Sequence, residues 1–130
     1  MNRIRVLVAD DEMTSQLCLA ALDPAQYEVR VLLPRVSFIE SALHVRPDVV
    51  LLNYDLPGDG GLGLAGELLR EPQLQQTRVI FLTERMCREE AVARSIFLGR
   101  AIFRKPVDWD LLALTLRSLT GRRFAEKSAA

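Results

Sequence analysis

A chain of 130 residues, 49% hydrophobic and 26% charged with zero formal net charge, can bury one core of its own and differs in composition from disordered, collagen-like or disulfide-stapled chains. Its two cysteines, Cys18 and Cys87, lack metal-type spacing and read as free thiols, buried or half-buried. No apolar run approaches the roughly 20 residues of a membrane span. The first segment carries Arg3 and Arg5 in strand-like alternation and lacks the apolar stretch of a secretory signal, which predicts a cytoplasmic chain without a membrane partner.

In chain order, "IRVLVAD" (4–10) is a buried strand ending on acids, followed by a helix in "MTSQLCLAALDP" that Asp23-Pro24 terminates. "YEVRVLL" (27–33) alternates as a strand, and "VSFIESALHVRP" (36–47) gives a short amphipathic helix closed by Pro47. "DVVLLN" (48–53) is apolar without alternation, the pattern of a central parallel strand covered on both faces. After the turn "PGDGG" a helix covers 62–70, "RVIFLT" (78–83) is a strand, and "REEAVARSIFLG" (88–99) is a helix ended by Gly99. "AIFRKP" (101–106) is the fifth strand. Asp108 caps a last helix to Leu119, with Leu111, Leu112, Leu114, Leu116 and Leu119 as its apolar side.

The order (βα)5 with right-handed crossovers predicts an α/β three-layer sandwich around a five-stranded parallel sheet, in one domain over 1–120 with 121–130 as tail or linker. Ligands of such sheets bind outside the carboxyl ends of the strands. There the chain places Asp10, Asp11 and Glu12, then Asn53, Thr83 and the pair Lys105-Pro106. Adjacent carboxylates offer oxygen ligands to a hard cation such as Mg²⁺. A hydroxyl and an ammonium beside them can hold phosphoryl oxygens.

The motifs "LVADDE", "PDVVLLNYDLPG", "VIFLT" and "RKP", in this order, resemble the receiver domain of two-component response regulators, similar to the chemotaxis-type regulator, over residues 3–120. The resemblance implies the flavodoxin-like strand order 2-1-3-4-5. It also implies that Asp10 and Asp11 hold Mg²⁺ with the backbone carbonyl of Asp55, that Thr83 is the switch hydroxyl, and that Lys105 binds phosphate next to a cis proline bond. Asn53 falls where the family carries its phosphoaccepting aspartate. An amide is not an anionic nucleophile, so Asn53 does not take up phosphate, and the loss of one charge weakens the hold on Mg²⁺. Lys105 is then expected to turn to Asp10 or Asp11. Ile102 stands where receivers usually carry Tyr or Phe, and the adjacent Phe103 faces the other side of its strand. Both belong to the output face that the resemblance implies.

Other residues read more plainly. Asp10 and Asp11 have an alternative as helix N-caps, and Asp55 reads as a rim residue rather than a substitute phosphoacceptor. Gly58, Gly60, Gly61 and Gly63 do not match a phosphate-binding loop and serve the turn. His44, the only histidine, supports neither a triad nor a zinc site. Trp109 reads as a packing residue, and Arg122-Arg123 is too short to indicate nucleic-acid binding.

The function expected is a receiver-like signalling module, not an enzyme, that works through phosphorylation-independent contacts with a histidine kinase, an output domain or a second copy of itself. An alternative is an ordinary phospho-accepting receiver in which Asn53 was introduced for Asp. Another is a small-ligand sensor using the acidic rim.

Overall fold

The computed structural model describes residues 3–32, 37–56 and 60–122. The elements are β1 (Ile4–Ala9), α1 (Glu12–Ala21), β2 (Tyr27–Val31), α2 (Phe38–Val45), β3 (Val49–Asn53), α3 (Gly60–Leu69), β4 (Arg78–Thr83), α4 (Arg88–Leu98), β5 (Ala101–Arg104) and α5 (Trp109–Thr120). A short 3-10 turn at Pro72–Leu74, which the sequence reading did not foresee, joins α3 to β4. All strand pairs are parallel and the order is β2-β1-β3-β4-β5, the expected flavodoxin-like topology.

The two faces of the sheet carry separate cores, because successive strand residues point to opposite sides. Ile4, Val6, Val8, Val49, Leu51, Ile80 and Leu82 pack with Cys18 and Leu22 near α1 and with Leu112 and Leu116 of α5. Leu7, Ala9, Val50, Leu52, Val79 and Phe81 pack with α2 and α3 through Phe38, Ala42, Ala65 and Leu68. The run Val49–Leu52 is buried throughout, as a strand covered on both faces requires. Phe103 packs on the first core and Ile102 on the second, so the two adjacent side chains do face opposite ways.

Helix ends follow their capping residues. Ser37 accepts the Glu40 N–H at 3.1 Å, and Asp108 accepts the Leu111 N–H at 3.1 Å. Gly99 closes α4 in the left-handed region, φ 65°.

Several expectations are corrected. Of the apolar side predicted for α5, Leu111 and Leu114 are exposed, and Leu112 and Leu116 with Leu119 face the sheet. The run carries more leucines than one helix face can turn inward. Cys18 is buried, but Cys87 is exposed: it stands just before α4, outside the helix, and its side chain makes no capping bond. Gly60, Gly61 and Gly63 lie in α3 rather than in the turn before it. Of that turn, Pro57, Gly58 and Asp59 lie outside the described residues, as does the tail from 123 on. Trp109 packs against the first core as expected, and His44 is exposed in the last turn of α2.

Opposite the carboxyl ends of the strands, Asp48 ties three segments together. It accepts the Arg5 N–H at 2.8 Å and pairs with the Arg122 guanidinium at 2.9 and 3.1 Å. Arg122 also donates to the Arg3 carbonyl at 2.7 Å, which fixes the chain just beyond α5.

Candidate functional site

Four strand ends build the rim. Asp10 and Asp11 follow β1, Asn53 ends β3, Thr83 ends β4 and Lys105 follows β5. The bond between Lys105 and Pro106 is cis, as expected. The Lys105 N–H donates to the Thr83 carbonyl at 2.8 Å, which continues the ladder past the end of β5 and sets the ammonium over the first strand.

The acidic pair divides its work. Asp11 caps α1, accepting the Thr14 N–H at 2.7 Å, so the capping alternative holds for this residue alongside its place in the rim. Asp10 is turned inward, with its side chain fully buried. Its Oδ1 accepts the Asp11 N–H at 2.6 Å and the Lys105 ammonium at 2.8 Å, while Asp11 Oδ2 lies 3.3 Å from the same ammonium. Lys105 has therefore turned to both acids. Asp10 Oδ2 is buried and has no hydrogen-bond partner, alone among the described residues.

Burial pushes the Asp10 carboxyl above its ordinary pKa, and the bonds from Lys105 and Asp11 offset this only in part. The Thr14 N–H is the main cause that holds Asp11 below the usual carboxylate value. For Lys105 burial works against the charge, and the hydrogen bond and charge of Asp10, then those of Asp11, outweigh it, so its pKa is raised.

On the other side of the rim, Asn53 Oδ1 accepts the Asp55 N–H at 2.9 Å. Thr83 is fully buried, and its Oγ1 lies 2.8 Å and 3.0 Å from the two Asp55 carboxylate oxygens. The single hydroxyl proton serves one of them at a time. The Glu84 N–H donates to Asp55 Oδ2 at 2.8 Å. The residues singled out in the sequence are thus brought together in two groups, Lys105 with Asp10 and Asp11, and Thr83 with Asp55. Sequence reasoning missed the second grouping and the Glu84 N–H entirely. Nothing in "NYDLPG" signals where the Asp55 side chain points.

The donor set fits the hard cation that the resemblance implies. Mg²⁺ needs only one or two carboxylates and keeps several waters. The unpartnered Asp10 Oδ2 is an acceptor in want of a donor or a cation, and Asp11 is half-exposed beside it. No group of three or more acidic, His or Cys side chains suited to a metal occurs among the described residues, so the ion would draw most of its shell from water and backbone.

Comparison with known proteins agrees with this fold. The chain is 30% identical to Response regulator PleD of Caulobacter vibrioides over 118 residues, 89% of this chain and 26% of that protein. It is 27% identical over 89 residues to a protein-glutamate methylesterase/protein-glutamine glutaminase of Geobacter metallireducens, covering 66% of this chain and 24% of that one. The chain thus spans about a quarter of the length of these curated relatives. In structure it is similar to the signal receiver domain of a DNA-binding response regulator from Colwellia psychrerythraea, with TM-score 0.74 and 20% identity over 93% of this chain and 100% of that one. A chemotaxis response regulator of Vibrio cholerae gives TM-score 0.72 and 22% identity over 91% and 99%. At such identities these likenesses speak for the fold. The sequence profile of the response regulator receiver domain matches residues 6–117, and the chain belongs to that family.

Proposed function

We propose that this receiver is a signalling module of a two-component system that takes up no phosphate at residue 53. It acts through phosphorylation-independent protein contacts or as the regulatory domain of a longer protein. The observation that supports this most is the amide of Asn53 at the end of β3. Its oxygen is engaged by the Asp55 N–H, and the ammonium of Lys105 is bonded to Asp10 and Asp11. An amide oxygen carries no net charge with which to attack a phosphodonor.

In this reading the receiver domain is 1–120, and 121–130 is the tail or linker. Its partners are the histidine kinase and output domains with which receivers interact, or a second copy of the chain, met at the sheet edge formed by β5, the strand of Ile102 and Phe103. The chain performs no reaction of its own. Receivers bind Mg²⁺ at the acidic site; here Asp10, Asp11 and the Asp55 carbonyl would hold it, less strongly for want of a carboxylate at 53. When bound, the cation would neutralise phosphoryl oxygens. The module works in the cytoplasm, and among the described residues no helix is long and apolar enough to cross a membrane.

Intact-mass spectrometry after incubation with a small phosphodonor and Mg²⁺ tests the reading. The expected result is a phosphoryl mass on Asn53→Asp and none on the unaltered chain. A gain on the unaltered chain would overturn the proposal.

A further inference from the structure

The Thr83 hydroxyl that the sequence marked for phosphoryl oxygens has a second donor beside it, the Glu84 N–H, and the chain itself fills the place between them. The Thr83 hydroxyl and the Glu84 N–H converge on one carboxylate, that of Asp55, at 2.8 to 3.0 Å. Two donors aimed at one negatively charged group form an oxyanion seat of the kind that binds tetrahedral anions elsewhere. Thr83 is fully buried with Asp55 in place, so its hydroxyl finds its acceptor in the protein and not in bulk water.

We infer that Asp55 is a tethered anion. Its carboxylate occupies the oxyanion seat of this receiver and holds the Thr83 hydroxyl in its anion-engaged orientation without covalent phosphate. The inference rests on the reading of Asn53 as unphosphorylated and deepens it, because it says what takes the place of the missing phosphoryl group.

Several features of the seat fit this role. Asp55 reaches Thr83 and Glu84 across 28 and 29 positions of sequence, so the contact spans two strand ends rather than closing a local turn. The Asp55 N–H is fixed by Asn53 Oδ1 at 2.9 Å, which orients the residue toward Thr83. The neutral amide thereby acts as a positioning group for the neighbouring anion. Lys105 takes no part in the seat, since both of its side-chain contacts are to Asp10 and Asp11. The ligand class that fits the seat with Asp55 removed is a small tetrahedral oxyanion, and inorganic phosphate is the probe.

The test uses the full chain and two variants, Asp55→Ala, which empties the seat, and Asp55→Asn, which keeps the shape and removes the charge. Backbone amide spectra are recorded while inorganic phosphate is added at constant ionic strength and pH. In the unaltered chain the Glu84 and Thr83 amides should respond only weakly, at the top of the titration. In Asp55→Ala they should move saturably, with an apparent affinity for phosphate at least ~10-fold above that of the unaltered chain, as loss of one competing charge-assisted contact would give. Asp55→Asn should fall between the two and guards against a folding defect in the alanine variant. Equal response in all three chains would mean that Asp55 does not occupy the seat, and no response in any would mean that the seat binds no anion; either overturns the inference. The titration makes no use of residue 53 as an acceptor, so it fails or succeeds separately from the mass experiment.

Discussion

Lys105 Nζ lies 2.8 Å from Asp10 Oδ1, and the two side chains are 11% and 0% exposed. A pair so far removed from water carries a large desolvation cost, and its value lies in each partner compensating the other. Removing the lysine alone leaves a buried carboxylate with one oxygen already unpartnered. We expect Lys105→Met to lower stability by about 3 kcal/mol in urea unfolding. Adding Asp10→Asn should restore most of that loss. An additive outcome would mean that the pair is not coupled.

Restoring a carboxylate at residue 53 places a third acid in the rim. Without a divalent cation, Asn53→Asp should be less stable than the unaltered chain by on the order of 1 kcal/mol, through repulsion with Asp10 and Asp11. Millimolar Mg²⁺ should then raise the unfolding midpoint of Asn53→Asp more than that of the unaltered chain, since a ligand stabilises the form that binds it best. Equal shifts would show that the amide costs the site nothing in cation affinity.

The (βα)5 alternation and the rim were legible in the sequence because they follow from strong signals, while the strand order came with the family resemblance. Val49–Leu52 is uninterrupted by polar residues, and the acids, amide, hydroxyl and ammonium each fall at the end of an apolar run. Lys105 turning to Asp10 was also foreseeable, as a cation that lacks one partner seeks another nearby. The direction of the Asp55 side chain was not, because it depends on how β3 and β4 stand side by side, with Asn53 opposite Leu82 and Thr83 one step beyond. Leu111 and Leu114 misled for a different reason. Periodicity identifies a helix, but in a run as leucine-rich as "DLLALTLRSL" it does not say which leucines face the sheet.

Gly61 opens α3 directly against β3. A Cβ built there would stand 2.6 Å from the Asn53 carbonyl oxygen and 3.0 Å from the Tyr54 Cα. Both obstacles are backbone, so the helix start must move away from the rim to admit a methyl group. Gly61→Ala should cost about 2 kcal/mol in spite of the better helix propensity of alanine. Gly66→Ala, where the nearest atom is an Arg70 side-chain nitrogen at 3.8 Å, should be neutral or stabilising and serves as the control. Equal effects at both positions would refute the packing argument.

The two cysteines should separate by reactivity. Cys18 is fully buried on the sheet-facing side of α1, and burial pushes its thiol up to about 12. Cys87 is exposed. Iodoacetamide at mildly alkaline pH should therefore add one label to the native chain, on Cys87, and a second only in denaturant. Rapid double labelling of the native chain would contradict the packing of Cys18 against the sheet.

The rim also predicts how stability depends on pH. Asp11 titrates below its ordinary value of 3.8, chiefly through the Thr14 N–H. The unfolded chain thus takes up that proton more readily, and the contribution of Asp11 is present above pH 3.8 and lost as pH falls through its lowered folded value. Lys105 runs the other way. Burial opposes its charge, Asp10 and Asp11 overcome it, and the folded pKa lies above the ordinary 10.5. Its contribution is complete below pH 10.5 and is lost as pH rises through the folded value. Urea unfolding across the pH range should show the advantage of the unaltered chain over Asp11→Asn narrowing on the acid side, because asparagine caps a helix as well as aspartate but does not titrate. Its advantage over Lys105→Met should narrow on the alkaline side. Curves that stay parallel through both limbs would mean that neither group is bound more tightly in its charged form by the fold.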